Sequence, residues 1–174
     1  MTPVRGKAGT LGTWVGPERP VLLVDIDGVL NVYGVEVAPE GYQDYDIFPE
    51  DDEPVRLSLV HGEWLRELSA VFDLVWGSAW GIVAHRHLGP ILQLDPFPYV
   101  PMPPIPFPPA DKVPAIDAYL GDRPAAWIDD LLGPEAIAWA ESRTAPTLLV
   151  ETDPTIGLLR EHVDRLTAWA ADLA

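Results

Sequence analysis

The segment VLLVDIDGVLN, residues 21–31, decides the fold. Its four leading apolar residues are typical of a central strand in a parallel sheet, because such a strand is covered on both faces. Asp25 and Asp27 follow directly, and open parallel sheets bind ligands at the carboxyl ends of their strands. Residues i and i+2 of an extended chain project the same way, so we expect both acids to reach one small volume, where a divalent cation would relieve their repulsion. Gly28 would let the chain turn sharply and approach a ligand closely.

Composition restricts the kinds of partner. A chain of 174 residues fits one domain with a sizeable core. Its formal net charge of -16 argues against nucleic acid and against an anionic membrane surface, since both need a cationic footprint. An anionic substrate would be repelled at long range, so a lysine or a bound metal must reverse the potential inside the site. The chain lacks cysteine, which excludes thiolate chemistry, and shows no apolar leader or spanning stretch, which predicts a cytoplasmic protein.

Apolar runs alternate with stretches of helical period, which is the pattern of a doubly wound α/β protein. The predicted strands are 21–26, 72–76, 125–128 and 147–150, with a short strand at 99–102 and a run at 55–60 that could pair back as a hairpin. The predicted helices are 61–71, 80–94, one from an Asp111 N-cap to 120, a short one opened by Gly133 and Pro134, and 155–173. We therefore expect one three-layer Rossmann-like domain over residues 20–174, with a central, mostly parallel sheet and helices on both faces. Residues 1–19 are predicted to form a loose arm.

Four sets of polar side chains fall just after predicted strands or at the start of a predicted helix, where they can converge on the carboxyl edge of the sheet. The sets are Asp25 with Asp27, Ser78, Lys112, and Asp129 with Asp130. In this order they resemble the motifs of the haloacid dehalogenase (HAD) superfamily of phosphohydrolases: DxDG followed by Val-Leu, a serine or threonine after a hydrophobic strand, a helix-borne lysine, and an acidic pair after another strand. The resemblance covers residues 21–150.

The resemblance implies a role for each set. Asp25 would attack phosphorus and form an aspartyl-phosphate, and Asp27 would protonate the leaving alcohol and then activate water. Ser78 would donate to a phosphoryl oxygen, and Lys112 would offset charge on Asp25 and on the phosphate. The remaining implied positions are Gly28 and Ala79 in the substrate site, and a Mg²⁺ site made by Asp25, the main-chain carbonyl of Asp27, Asp129 and Asp130. Haloacid dehalogenases lack the second acid, so Asp27 favours phosphate ester hydrolysis.

Each position also has a purely structural interpretation. The acidic pairs could serve turns, Ser78 could form a tight turn beside Gly77, and Lys112 could be a solvated first-turn residue. A cation is mildly disfavoured there by the helix dipole, which favours a functional reason for Lys112. The other notable side chains are interpreted as follows: Trp76 and Trp127 as core residues, Trp80 at the entrance, His85, Arg86 and His87 as an exposed helix face from which Arg86 could meet a substrate anion, and His61 and His162 as ordinary helix residues.

No interval is long enough for a large cap domain. The candidates are an acidic flap at 32–60 and a proline-rich segment at 96–109, so we expect a short flap hairpin and an open site. Substrate could still touch the rims of these segments at Tyr42, Tyr45, Phe97, Tyr99 and Phe107. The substrate would be a phosphorylated small molecule or a phosphoprotein. The alternative is a catalytically silent HAD-scaffold binding protein that presents the proline-rich segment to a partner. The sequence fixes neither the substrate nor the oligomeric state.

Overall fold

The structure is a computed structural model that describes residues 18–174. In this part of the chain the strands are β1 (Val21–Val24), β2 (Tyr42–Tyr45), β3 (Val55–Ser58), β4 (Asp73–Trp76), β5 (Ala125–Asp129) and β6 (Thr147–Glu151). The helices are α1 (Val60–Leu68), α2 (Val83–Leu92), α3 (Lys112–Leu120), α4 (Pro134–Ser142) and α5 (Arg160–Leu173). β4, β1, β5 and β6 form a parallel sheet in that order, and β2 pairs with β3 as a separate antiparallel hairpin.

Helices cover both faces of the parallel sheet. Leu22 and Val24 of β1 belong to one core cluster together with apolar residues of α1, α2 and α5. Val21 and Leu23, which alternate with them, belong to a second cluster with residues of α3 and α4. All four β1 side chains are fully buried, as expected for a strand covered on both faces. The predicted α/β architecture with a central parallel sheet is confirmed.

The sheet topology places a crevice at the carboxyl end of β1. The chain runs from β1 to its neighbour β4 on one side and then crosses to β5 on the other side. Ligands of open α/β sheets bind at such a switch point. Beyond the last paired residues the strands stay connected, because the Asp25 amide donates to the Ile128 carbonyl at 3.0 Å and the Gly77 amide donates to the Val24 carbonyl at 2.8 Å. The residues that follow β1, β4 and β5 therefore share one edge.

Two predicted helices begin later than the sequence pattern suggested. The helix predicted from residue 80 starts at Val83, because the chain first turns through Gly81 at a φ of 51°. The helix predicted from residue 155 starts at Arg160. The preceding residues form a turn in which the Gly157 amide donates to the Asp153 carbonyl at 2.7 Å and the Leu158 amide donates to Val29 at 2.7 Å. Hydrogen bonds to the loop after β1 thus replace the first helical turn.

The proline-rich segment also differs from its prediction. The strand predicted at 99–102 is reduced to one bridge between Tyr99 and Trp76, since prolines remove the ladder donors on either side. The Trp76 amide donates to the Pro98 carbonyl at 2.8 Å, and the Val100 amide donates back to Trp76 at 2.9 Å. The segment ends in a 3₁₀ turn, Pro109–Asp111, so Asp111 already has helical dihedral angles and its side chain makes no capping hydrogen bond.

The acidic flap carries the predicted hairpin, and a buried arginine anchors it. Arg56 on β3 is 6% exposed and donates to the Val35 carbonyl at 2.6 Å, while its Nε lies 3.3 Å from Asp44 Oδ1. Its main-chain amide donates to Asn31 Oδ1 at 2.8 Å. The flap is thereby tied to the loop that follows β1.

Two further expectations concern the chain as a whole. Residues 1–17 of the predicted N-terminal arm lie outside the described residues, and the division into one domain over 20–174 stays a prediction. Among the described helices, none combines the length and the apolar character that crossing a bilayer requires.

His61 is a buried residue of α1. It is 1% exposed, and its Nε2 lies 3.1 Å from the Leu158 carbonyl and 3.4 Å from the Tyr42 hydroxyl. Burial lowers the pKa of His61 to about 4, with the Leu158 contact acting in the opposite direction. The neutral ring is therefore the form that packs well.

We expect His61 to make stability depend on pH in a window that follows from this shift. His61 binds a proton near pH 6.5 in the unfolded chain and only near 4 in the folded one. Its contribution to stability is therefore constant above the first value and falls as the pH drops toward the second, by about 2 to 3 kcal/mol. Urea unfolding of wild type and His61→Gln at pH 7.5 and 4.5 measures this. The variant should lose less stability between the two pH values; parallel losses would contradict the role given to burial.

Candidate functional site

Buried charged side chains meet at the carboxyl edge of the sheet. Asp25 follows β1, Lys112 begins α3, and Asp129 ends β5. Lys112 Nζ lies 2.9 Å from Asp25 Oδ2 and 2.7 Å from Asp129 Oδ2. These three residues and Asp130 are each at most 8% exposed. The structure therefore brings together four of the residues that the sequence pattern singled out.

Three of these residues form a potential metal site. One carboxylate oxygen each from Asp25, Asp129 and Asp130 lies within 4.8 Å of the other two. With Lys112 as the ammonium in contact, ionisation of all three acids leaves two uncompensated negative charges in a buried place. Buried charges require such compensation, and closely spaced carboxylate oxygens are ligands for hard divalent cations. The residues present fit a divalent metal ion.

The acids after β5 are held by neighbouring donors. Asp129 accepts the Trp127 indole N–H at Oδ2, 3.2 Å away, and the Leu131 amide at Oδ1, 2.9 Å away. Asp130 Oδ2 accepts the Tyr33 hydroxyl at 2.5 Å. Trp127 is buried in the core as predicted, and its indole N–H in addition orients a carboxylate. Asp129 is thus held mainly by residues next to it in the chain, whereas Asp130 is positioned by a side chain from the loop after β1.

Gly28 makes room for Asp130. Its φ of 80° lies in the left-handed region that favours glycine. A Cβ at this position would lie 2.2 Å from Asp130 Cγ, so the Asp130 carboxylate would have to leave its place. The Gly28 carbonyl also accepts the Thr152 hydroxyl at 2.8 Å. The close approach expected at Gly28 is thus an approach to a carboxylate of the candidate metal site.

Asp27 lies beside the buried group and is not one of the three clustered carboxylates. Its Oδ1 accepts the Asn31 side-chain amide at 2.8 Å, and its Oδ2 accepts the Trp80 indole N–H at 3.0 Å. The residue is partly exposed, in contrast to Asp25. The two acids of the DxDG motif therefore have different surroundings: one is buried against Lys112, and the other is partly exposed and bonded to neutral donors.

Ser78 and Ala79 follow β4 at the same edge. Ser78 is 1% exposed, and its hydroxyl oxygen accepts the Trp80 amide at 3.3 Å, as the tight-turn interpretation requires. Ala79 is exposed. In the described part of the chain the Ser78 hydroxyl makes no hydrogen bond to the buried acids, so its proposed role toward a phosphoryl oxygen stays a prediction.

Burial and charge shift the pKa values of the group. Burial, and then the Asp129 charge, raises the pKa of Asp25 to about 8, and Lys112 only partly opposes this. Burial by itself would lower the pKa of Lys112, but the two carboxylates outweigh it and raise that pKa, so the ammonium is retained. Burial also raises the pKa of Asp130, against the hydrogen bond from Tyr33. Full ionisation of the three acids is therefore unfavourable unless a further cation lies near them.

Other predicted positions stay outside the cluster. Arg86 is exposed on α2 and His87 packs on Phe48 at 5.3 Å between ring centroids. His162 Nδ1 accepts the Leu159 amide at 3.1 Å.

The sequence did not reveal Tyr33 and Asn31 as residues of the site. Both lie in the loop after β1, and no motif indicates that their side chains bond to Asp130 and Asp27.

Comparisons with known proteins assign no family. No protein-family model matches the chain, and no curated protein is detectably similar to it. The functional inference therefore depends on the residues and distances given above.

Proposed function

We propose that this protein is a HAD-like, Mg²⁺-dependent phosphatase that hydrolyses a phosphate monoester through an aspartyl-phosphate on Asp25. The observation that carries the proposal is the Lys112 ammonium between Asp25 and Asp129, with Asp130 completing the buried group. Burying charges is costly even when they are paired, so a protein that made no use of this site would have no reason to bury Lys112 beside acids.

The contacts support a division of labour between the two acids of the motif. Asp25 would attack phosphorus, so that a bond from its carboxylate oxygen forms as the ester P–O bond breaks, and Lys112 would offset charge on both groups. Asp27 would give its proton to the departing alcohol oxygen and then take one from the water that hydrolyses the aspartyl-phosphate. Asp27 is partly exposed and is held by Asn31 and Trp80, which suits a group that must reach the leaving oxygen.

Magnesium is the cation of this proposal, and the donor set is one that suits hard divalent ions. Its ligands would be Asp25, the main-chain carbonyl of Asp27, and the acids at 129 and 130, which together make an all-oxygen shell. When bound, the ion supplies the positive charge that an anionic substrate needs in a chain of net charge -16. Ser78 and the backbone at Gly28 and Ala79 would contact the phosphoryl group from the ends of β4 and β1.

Asp27→Asn tests the covalent intermediate. Acetyl phosphate has a good leaving group that needs little protonation, so we expect the variant to become phosphorylated with Mg²⁺ but to hydrolyse the intermediate about 10²-fold more slowly or worse. Intact-mass measurement after rapid quenching detects the added phosphoryl group. Asp25→Asn is the control and should stay unmodified. A variant that binds metal normally yet never carries phosphate would contradict the role of Asp27.

Tyr33 is expected to position the metal ligand Asp130. Removing its hydroxyl by Tyr33→Phe frees a carboxylate oxygen held at 2.5 Å, and loss of such an outer partner typically weakens metal affinity about 10-fold or more. Calorimetric titration with Mn²⁺, a common substitute for Mg²⁺, measures the affinity. Tyr45→Phe, on the flap, is the matched control and should leave it unchanged. Equal affinities in wild type and Tyr33→Phe would exclude this positioning role.

The alternative function, a silent scaffold that binds a partner through residues 96–109, predicts no phosphate release with any substrate. Part of this segment packs on the sheet: Phe97 lies 4.3 Å from Trp76 between ring centroids, and Val100 is buried. Assays of phosphate release with Mg²⁺ distinguish the two functions.

A further inference from the structure

A cavity of about 360 Å³ is lined in part by Asp27. Its walls come from the loop after β1, from flap residues 48–55, and from Trp80. Its volume falls within the range of sites for small molecules. Of the residues that line it, the proposed function already uses Asp27, with Asn31, Trp80 and Tyr33 as hydrogen-bond partners of the acids. The aromatic rings and flap residues 48–55 are in addition available to contact whatever is attached to the phosphate.

Three aromatic side chains, Tyr33, Phe48 and Trp80, line the cavity, and two of them are hydrogen-bonded to acids of the site. The Phe48 and Trp80 rings meet edge to face, with 5.0 Å between their centroids. The Trp80 indole donates to Asp27 and the Tyr33 hydroxyl donates to Asp130, so both side chains are oriented by acids of the site. The alcohol part of a substrate whose ester oxygen lies next to Asp27 would therefore contact aromatic rings that are already held in place.

The charges on the cavity are all of one sign. Asp51, Asp52 and Glu53 are exposed on its flap side, and the lining includes no lysine or arginine. Within residues 18–174, none of these three carboxylates takes part in an ion pair. A second anion would be repelled there, whereas a cation gains from the carboxylates and from the faces of the aromatic rings.

We propose, on the basis of the phosphatase function above, that this cavity receives the leaving group and selects phosphate monoesters of small alcohols that carry an ammonium group. The phosphoryl end would meet Asp25 and Lys112, and the cationic end would lie between the aromatic wall and the acids at 51–53. The bond that breaks is the ester P–O bond; the alcohol oxygen takes the proton of Asp27, and water finally receives the phosphoryl group.

Three substrates that differ in charge test the inference. All three carry the phosphate dianion: phosphocholine adds a cationic trimethylammonium group, 3,3-dimethylbutyl phosphate has a neutral tert-butyl group in its place, and 3-phosphoglycerate adds a carboxylate. We expect kcat/KM with Mg²⁺ to be about tenfold higher for phosphocholine than for the isostere, and lowest for 3-phosphoglycerate. The preference should shrink as salt is raised from 0.05 to about 0.5 M, because salt screens exposed carboxylates.

A matched pair of triple variants locates the preference. Asp51→Asn/Asp52→Asn/Glu53→Gln should reduce the ratio for phosphocholine over its isostere to about twofold. Glu40→Gln/Asp46→Asn/Glu141→Gln changes net charge equally at exposed positions outside the cavity and should retain the full ratio. Equal ratios in the two variants would overturn the assignment of the cavity.

The outcomes separate this inference from the phosphatase proposal. Hydrolysis of all three substrates without charge preference, or faster turnover of a phosphoserine peptide than of phosphocholine, overturns the substrate class and leaves the phosphatase intact. A phosphoenzyme from acetyl phosphate without turnover of phosphocholine does the same. If neither phosphoenzyme nor turnover is found, the phosphatase proposal fails and this inference fails with it.

Discussion

Asp25→Asn is expected to abolish phosphate release, by about 10⁴-fold or more, because the amide that replaces the nucleophile cannot form an aspartyl-phosphate. Asparagine has nearly the same shape as aspartate, so we expect it to occupy the place of Asp25 beside Lys112. Steady-state release of phosphate from 3,3-dimethylbutyl phosphate and phosphocholine with Mg²⁺ measures the loss. Equal release by wild type and variant would disprove the enzymatic function.

This variant should remain folded, which makes the comparison of activities meaningful. Burial and Asp129 raise the pKa of Asp25, so its ionised form is the costly one, and a neutral amide removes that cost. The matched control is Asp46→Asn, the same chemical change at an exposed position of the flap, which should keep wild-type activity. Circular dichroism and thermal unfolding of all three proteins verify that only chemistry was changed.

Lys112→Met is expected to reduce both activity and stability. Removing one partner from a buried ion pair leaves uncompensated charge, which typically costs about 3 to 5 kcal/mol, and Lys112 faces two carboxylates. Activity should fall about 10²- to 10³-fold, the usual effect of losing a donor that stabilises charge in the transition state. Urea unfolding in EDTA gives the stability. Adding Mg²⁺ should restore part of it, since a cation among the remaining acids replaces some of the lost positive charge.

Arg160→Met is the control for this effect. Arg160 also contacts two carboxylates, Glu67 at 2.6 Å and Asp164 at 2.8 Å, but it does so on the surface. Solvent screens such pairs, so we expect a much smaller loss of stability from a contact of the same length. If the two variants unfold at the same urea concentration, Lys112 is not held by buried charge and the electrostatic basis of the site is wrong.

The chain could be interpreted as α/β from its sequence because its strands carry unmistakable local patterns. VLLV at 21–24 and AAWI at 125–128 are short apolar runs typical of doubly covered strands, and both lie in the parallel sheet. Helix starts were less predictable. Gly81 turns the chain with a positive φ before α2 begins, and the 153–158 turn bonds to the distant loop after β1, a partner that no local pattern shows. The prediction of a strand at 99–102 was wrong, because the prolines leave only one bridge there.

The candidate site, too, was predictable from the sequence only in part. Residue types and order were enough to single out Asp25, Lys112, Asp129 and Asp130, because polar groups at the ends of parallel strands meet at one edge. Tyr33, Asn31 and Trp80 as hydrogen-bond partners of the acids came only from the structure.

The sequence by itself determined the alternation of strands and helices and the identity of the charged groups, since both depend on neighbours along the chain. Only the tertiary structure decided that Asp25 is buried against Lys112 while Asp27 faces an open, acidic cavity. Burial and distance depend on how loops from separate parts of the chain fold over the edge of the sheet, and these two quantities set the charge that each carboxylate can carry.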